Sequence, residues 1–129
     1  MENPPLKNAE DENAREARFA EKLAPFAEEF RALVRDYRVA PSPAGLDRIL
    51  DGLLTHQLGE KFLTVHVVKQ DAARLIEDFG LDSLALVELS FLTEDFLAFA
   101  IQPEDFARIA TLRDLRGFLH AKLFPTATT

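Results

Sequence analysis

The chain has 129 residues, a hydrophobic content of 47% and a formal net charge of −7 at pH 7. The length suits one domain with an appended segment, and the hydrophobic content is typical of a globular protein. The acidic balance disfavours duplex nucleic acid and anionic membranes as partners, since both bind clustered Lys and Arg. The sequence contains no cysteine, which excludes disulfides, thiolate nucleophiles and Cys-ligated metal centres.

Neither targeting signals nor metal-binding patterns stand out. The N-terminus lacks the basic start and apolar core of a secretory signal, and no apolar run approaches the roughly 18 residues that a membrane span needs, so we expect a cytoplasmic protein. His56, His66 and His120 lack the spacing of metal ligands, and we predict no metal site.

Residues 1–40 are predicted to form an N-terminal extension. The segment from Met1 to about Asp11 is polar and contains two prolines, which favours a disordered start. Beyond it, apolar residues recur at helical spacing among Glu, Ala and Arg, which indicates an amphipathic helix. Pro25 interrupts this stripe and predicts either a kink or a new helix starting near it. The stripe consists of Phe19, Leu23, Phe26, Phe30, Leu33 and Tyr37.

A helix and a loop are predicted next. Ser42 can cap a helix that has Pro43 at its first position, and Gly59 is expected to stop this helix. Residues 62–68 are rich in β-branched side chains but have no partner strand elsewhere, so we predict an extended loop packed on helices. The core-facing stripe of the helix is Leu46, Ile49, Leu50, Leu53 and Leu54.

Three more helices are predicted in the C-terminal part. One runs from Ser83 to about Leu97, a short one follows Pro103, and the last begins near Thr111 and ends before Pro125. Residues that support the last two are the acidic Glu104 and Asp105, the capping residue Asp114, and the inward Leu112, Leu115, Leu119 and Leu123.

The start of the first of these helices carries the most informative motif, Glu-Asp-Phe-Gly-Leu-Asp-Ser-Leu at residues 77–84. Gly80 can take positive φ, Asp82 can cap the helix, and the N–H groups of a helix start favour a phosphate on Ser83. No Gly-x-Ser-x-Gly elbow surrounds Ser83, which disfavours a serine hydrolase. We therefore predict covalent attachment at Ser83; the alternative is an ordinary serine at a helix start.

The motif and its surroundings resemble the acyl carrier protein family. The resemblance covers roughly residues 43–123 and is most specific over 75–119, where Asp-x-Gly-x-Asp-Ser-Leu is followed by Val-Glu-Leu at 87–89, by Ile101 and by Ile-Ala-Thr-Leu at 109–112. It implies that residues 41–125 form an all-α, four-helix acyl-carrier-like bundle with a long first loop. The extra N-terminal helix precedes this bundle, and a tail of residues 126–129 follows it.

The same resemblance implies that Ser83 carries 4′-phosphopantetheine, which a phosphopantetheinyl transferase adds from coenzyme A, with Asp82 as the preceding motif residue. The chain is then a non-catalytic carrier of acyl thioesters for fatty-acid, polyketide-like or related lipid biosynthesis. Its implied partners are ketosynthase, acyl ligase or acyltransferase type enzymes with basic docking surfaces. The implied contact residues are Leu84, Glu88, Glu94 and Asp95. The alternative function is a helical interaction or regulatory module that keeps the fold and is never modified.

Charge and hydropathy around the motif point to partner binding and to an added contact. Between Leu75 and Ala107 there are eight acidic residues and no Lys or Arg, which favours basic partners. The chain departs from the family pattern in Ala85, Leu86 and the apolar residues 96–101. Since an exposed apolar patch promotes association, we expect the N-terminal helix to cover part of it; dimerisation or docking through that helix is the alternative. The eight acidic residues between Leu75 and Ala107 are Glu77, Asp78, Asp82, Glu88, Glu94, Asp95, Glu104 and Asp105.

Overall fold

A computed structural model describes the backbone of residues 4–125 and the side chains of residues 13, 14 and 16–125. Seven α-helices and no strand are present in this range, which confirms the predicted all-α class. No helix in the described range is long and apolar enough to cross a membrane. The helices are α1 (Pro4–Leu23), α2 (Glu28–Val39), α3 (Pro43–Leu58), α4 (Glu60–Lys69), α5 (Ser83–Leu97), α6 (Pro103–Phe106) and α7 (Leu112–Leu123).

Helix α3 lies at the centre of the bundle. It begins as predicted, because the Ser42 hydroxyl accepts a 3.0 Å hydrogen bond from the N–H of Gly45 and Pro43 occupies the first turn. Its apolar stripe is buried against apolar residues of α5 and α7, and removal of this apolar surface from water stabilises the fold. The buried residues of the three helices include Leu46, Ile49, Leu50, Leu53, Leu54, Leu89, Leu112, Leu115 and Leu119.

The N-terminal extension is a pair of helices. Of the two expectations for Pro25, a new helix is correct, since α1 ends at Leu23 and α2 begins at Glu28. The prediction of a disordered start is wrong from Pro4 onward, where α1 already begins. Good helix formers fill this segment, and its prolines lie in the first turn, where a missing N–H costs nothing. Residues 1–3 of that prediction and the tail 126–129 lie outside the described residues.

Helices α1 and α2 pack on α5 through a cluster of aromatic rings. The ring of Phe96 on α5 makes edge-on contacts with Phe19 at 5.9 Å, Phe26 at 5.4 Å and Phe30 at 6.0 Å between centroids. Phe96 and Phe26 are buried, and Phe19 and Phe30 are partly buried. The extension therefore covers part of the apolar segment 96–101, as the sequence led us to expect.

The segment predicted as an extended loop is the helix α4. Its β-branched residues were misleading because no strand is available as a partner in residues 4–125, and a helix satisfies the backbone hydrogen bonds locally. Phe62 anchors the helix in the core, where it stacks on Phe79 with centroids 5.5 Å apart. Glu60 in the first turn and Lys69 in the last complement the helix dipole.

A charged cluster fastens the end of α4 to the bundle. A 3₁₀ turn, Gln70–Ala72, follows α4 and presents Asp71. The Arg116 guanidinium of α7 donates to Asp71 at 2.8 Å and to Asp51 of α3 at 2.6 Å, while His66 of α4 lies 2.9 Å from Asp71. Burial alone would raise the pKa of Asp71, but the hydrogen bonds from His66 and Arg116 outweigh it, so this pKa lies below the ordinary value.

Candidate functional site

The loop before α5 is hydrogen-bonded to the start of α7. The N–H of Leu75 donates to the carbonyl of Ala110 at 2.9 Å, and the N–H of Leu112 donates to the carbonyl of Ala73 at 2.9 Å. This single antiparallel bridge joins the loop to the start of α7. Leu81 then closes the turn by donating from its N–H to the carbonyl of Leu75 at 3.0 Å. The approach to Ser83 is thus fixed by backbone bonds.

Gly80 allows the chain to turn toward α5. Its φ is +76°, in the left-handed region that glycine occupies without steric cost. A Cβ at this position would lie 2.8 Å from Nζ of Lys61, which reaches the turn from α4. Nearby Lys69 and Arg74 pair with carboxylates of the loop, whereas Lys61 makes no ion pair within the described residues. Helix α4 therefore brings an available cation close to the turn.

Ser83 is exposed at the first position of α5, where an enzyme can reach it. The preceding Asp82 is the N-cap, and its Oδ1 accepts a 2.8 Å hydrogen bond from the N–H of Ala85, which confirms the predicted capping role. The N–H groups of Ser83 and Leu84 come before the first intrahelical bond. They are therefore available to an anion attached to the serine.

An apolar groove of about 450 Å³ begins at Ser83 and follows α5. One wall is formed by Leu86 and Phe91 of α5. The other is formed by Ile101, which precedes α6, and by Phe106, the last residue of α6. The Ser90 hydroxyl donates to the carbonyl of Ile101 at 2.7 Å, so the two walls are bonded to each other. The groove can accept an apolar group that is attached at Ser83.

The outward face of α5 exposes apolar side chains beside this groove. Leu84 is 67% exposed, Val87 46% and Phe91 57%, and Glu88 lies among them. The resemblance implied Leu84 and Glu88 as partner-contact residues, but sequence reasoning did not identify Val87 and Phe91 on this face. Helix α5 is apolar on nearly every side, so its sequence does not reveal which apolar residues remain outside the core.

Most of the acidic residues near the motif are engaged within the chain. Asp95 faces α1, where its Oδ2 lies 3.2 Å from Nζ of Lys22, so it is less available than predicted for a partner contact. Glu88 and Glu94 are exposed and make no ion pair within the described residues. The other engaged residues are Glu77 with Arg74, Asp78 with Lys69, and Asp82 and Asp105 as helix caps.

Comparison with known proteins identifies the segment that contains this turn. A family model described as a phosphopantetheine attachment site matches residues 64–119, from within α4 to within α7. No solved structure matches the chain significantly. The match confirms the resemblance found in the sequence and implies a covalently attached 4′-phosphopantetheine group. The helices α1, α2 and α3 precede the matched segment. Residues 64–119 therefore match the phosphopantetheine-attachment family, which is consistent with a domain of the acyl carrier protein family.

Proposed function

We propose that the Ser83 hydroxyl is the attachment point of 4′-phosphopantetheine and that the chain carries acyl groups as thioesters on this arm. The observation that carries the proposal is the exposed Ser83 at the start of α5, from which an apolar groove extends. In the loading reaction, Ser83 Oγ bonds to the pantetheine phosphate of coenzyme A. The bond from that phosphate to the nucleotide breaks, and the hydroxyl proton is released.

The residues around Ser83 fit a phosphodiester. The N–H groups of Ser83 and Leu84 and the dipole of α5 favour a negative charge there, by about 0.3–1 kcal/mol at an exposed helix start. Lys61, whose Nζ lies against Gly80, adds a positive charge near the same turn. When bound, the arm supplies the reactive thiol, which a chain without cysteine cannot provide itself. The protein positions the group while partner enzymes perform the chemistry.

The groove favours an apolar cargo. Its walls are formed mainly by aliphatic and aromatic side chains, among them Leu86, Phe91 and Ile101. Each methylene that an acyl chain buries there contributes about 0.8 kcal/mol. Asp82 before the modified serine also favours acyl over aminoacyl cargo by resemblance. Fatty-acid, polyketide-like or related lipid synthesis in the cytoplasm is the setting that we propose.

Partner enzymes are proposed to bind the exposed face of α5. This face combines the apolar Leu84, Val87 and Phe91 with the carboxylate of Glu88. It would be complementary to an apolar surface with nearby Lys or Arg on a phosphopantetheinyl transferase, ketosynthase, acyl ligase or acyltransferase. The same face lies next to Ser83, so docking there brings the arm to the partner's active site.

Intact-mass measurement after co-expression with a phosphopantetheinyl transferase tests the attachment site. We expect wild-type protein to gain one phosphopantetheine and Ser83→Ala to gain none. Ser90→Ala is the matched control, because Ser90 lines the same groove and its variant should still be loaded. An equal gain on wild type and Ser83→Ala would move the site elsewhere. No gain on wild type would favour the unmodified interaction module.

A further inference from the structure

We propose that the helix pair α1 and α2 masks the C-terminal half of α5, residues 92–97, from basic partners. Partners then bind through the half next to Ser83, residues 83–91. The inference rests on the proposed function, because it concerns how a modifying enzyme reaches Ser83. The helix pair lies before the segment that the family model matches, so this masking is a property of this chain's own extension.

The first observation is electrostatic. The ammonium group of Lys22 lies 3.2 Å from Oδ2 of Asp95, and this oxygen is buried from solvent. Arg18 and Arg38 line one cleft together with Glu94 and Asp95, and Glu94 also lines the groove that begins at Ser83. The N-terminal helices thus already place cations where a basic partner would place its own. A Lys or Arg of a partner would meet like charge there.

The second observation concerns the contacts that hold α1 and α2 against α5. Phe19, Phe26 and Phe30 surround the ring of Phe96, and the Arg38 guanidinium lies 3.9 Å from the centroid of the Phe19 ring. These contacts are mainly apolar, whereas the Lys22 ion pair is half exposed and contributes little to stability. Removal of the Lys22 charge should therefore leave the negative charge of Asp95 uncompensated while α1 and α2 remain packed.

The surface that stays free defines the kind of partner. Leu84, Val87 and Phe91 follow one another over about 10 Å of helix, at 1.5 Å per residue, with Glu88 beside them. A partner that fits this half has an apolar depression for these three side chains and one cation for the carboxylate. Its binding should depend less on salt than binding to a uniformly acidic helix would.

Rates of Ser83 modification by a phosphopantetheinyl transferase, measured from low to high salt, test the masking. We expect Lys22→Gln to speed modification about two- to five-fold at low salt, with the gain lost at high salt because the uncompensated charge of Asp95 is screened. Arg48→Gln is the matched control: Arg48 is exposed on α3, makes no ion pair within the described residues, and its variant changes the net charge equally. The double variant Lys22→Gln with Asp95→Asn should return to the wild-type rate.

The outcomes separate this inference from the proposed function. If wild type is not loaded, or Ser83→Ala is loaded equally, the attachment proposal fails. If wild type is loaded at Ser83 but Lys22→Gln has the same rate and salt dependence as Arg48→Gln, the masking is overturned and the attachment stands. A faster rate of Ser83 modification for Lys22→Arg, which keeps the positive charge, would also overturn the masking.

Discussion

Ser83 stays available because neighbouring residues make the bonds that the start of α5 requires. The Asp82 carboxylate caps the helix by accepting from the N–H of Ala85, so the serine hydroxyl is not needed for this purpose. Gly80 takes the positive φ of the turn, so neither Leu81 nor Asp82 has to adopt it. Local residue choice thus leaves one exposed oxygen at a helix start, which is the requirement for an attachment site.

Gly80→Ala should lower the free energy of unfolding by about 1–2 kcal/mol, because a left-handed backbone is unfavourable for alanine. The new Cβ would also press on Lys61. Gly117→Ala is the matched control, since a Cβ there meets nothing within 4 Å inside α7 and should raise stability by about 0.5–1 kcal/mol. Urea denaturation measures both, and a shift of the same sign for the two variants would contradict the role of Gly80.

At the level of elements, Asp71 makes the attachment of α4 dependent on pH. Its pKa is lower in the folded state than in the unfolded chain, so its ionised form stabilises the fold above the ordinary value of about 3.9. This contribution is lost as the pH falls through the lower, folded pKa. Asp71→Asn should therefore be less stable than wild type at neutral pH, and the difference should narrow in acid.

Thermal unfolding of wild type and Asp71→Asn across an acidic pH series measures this difference. Asp36→Asn serves as the control, because Asp36 is exposed on α2 and makes no ion pair within the described residues. Its variant should follow the wild-type stability at every pH. A destabilisation by Asp71→Asn that is as large in acid as at neutral pH would contradict the ionic role of Asp71.

The elements differ in how far sequence could predict them. Helices α3, α5, α6 and α7 carry their signals locally, in caps such as Ser42 and Thr111 and in regular apolar spacing. Helix α4 does not, because the apolar Leu63, Val67 and Val68 remain exposed and only Phe62 is buried. Its conformation depends on tertiary contacts, which are the stacking of Phe62 on Phe79 and the hydrogen bond between Arg116 and Asp71. Local propensity does not predict such contacts.

Some features of the candidate site were likewise predictable from local sequence, whereas others depend on tertiary packing. Ser83, Asp82 and Gly80 were predictable because their roles follow from φ, capping and the helix start, all of which are local. The groove and the Lys22 contact with Asp95 were not, because they join residues far apart in the sequence. The predicted partner role of Asp95 used its charge alone, and only the packing of α1 reveals a competing cation.

For the whole molecule, the α5 carboxylates that make no ion pair within the described residues, Glu88 and Glu94, should control the approach of basic partners. Replacing both Glu88 and Glu94 with Lys should slow modification of Ser83 and flatten its salt dependence, since charges are screened over about 10 Å at 0.1 M salt. If α1 and α2 mask the region of Glu94, most of the effect belongs to Glu88. The measurement is the loading rate with a phosphopantetheinyl transferase over a salt series.

A double variant of Glu29 and Glu60 to Lys is the control for this charge reversal. Both residues are exposed, lie outside α5, and give the same change in net charge. If steering is local to α5, this control keeps the wild-type salt dependence. Equal slowing by both double variants would indicate that only net charge matters, and unaltered rates for both would exclude electrostatic steering.

The bridge between the loop before Ser83 and the start of α7 has a consequence for biosynthesis. Leu75 and Leu112 complete it only with Ala110 and Ala73, so the turn cannot be fixed until the ribosome has released the chain beyond residue 112. A nascent polypeptide stalled earlier would contain the serine but not its rigid presentation. We therefore expect prosthetic-group loading to require a chain synthesised through residue 112, which protects shorter polypeptides from being loaded.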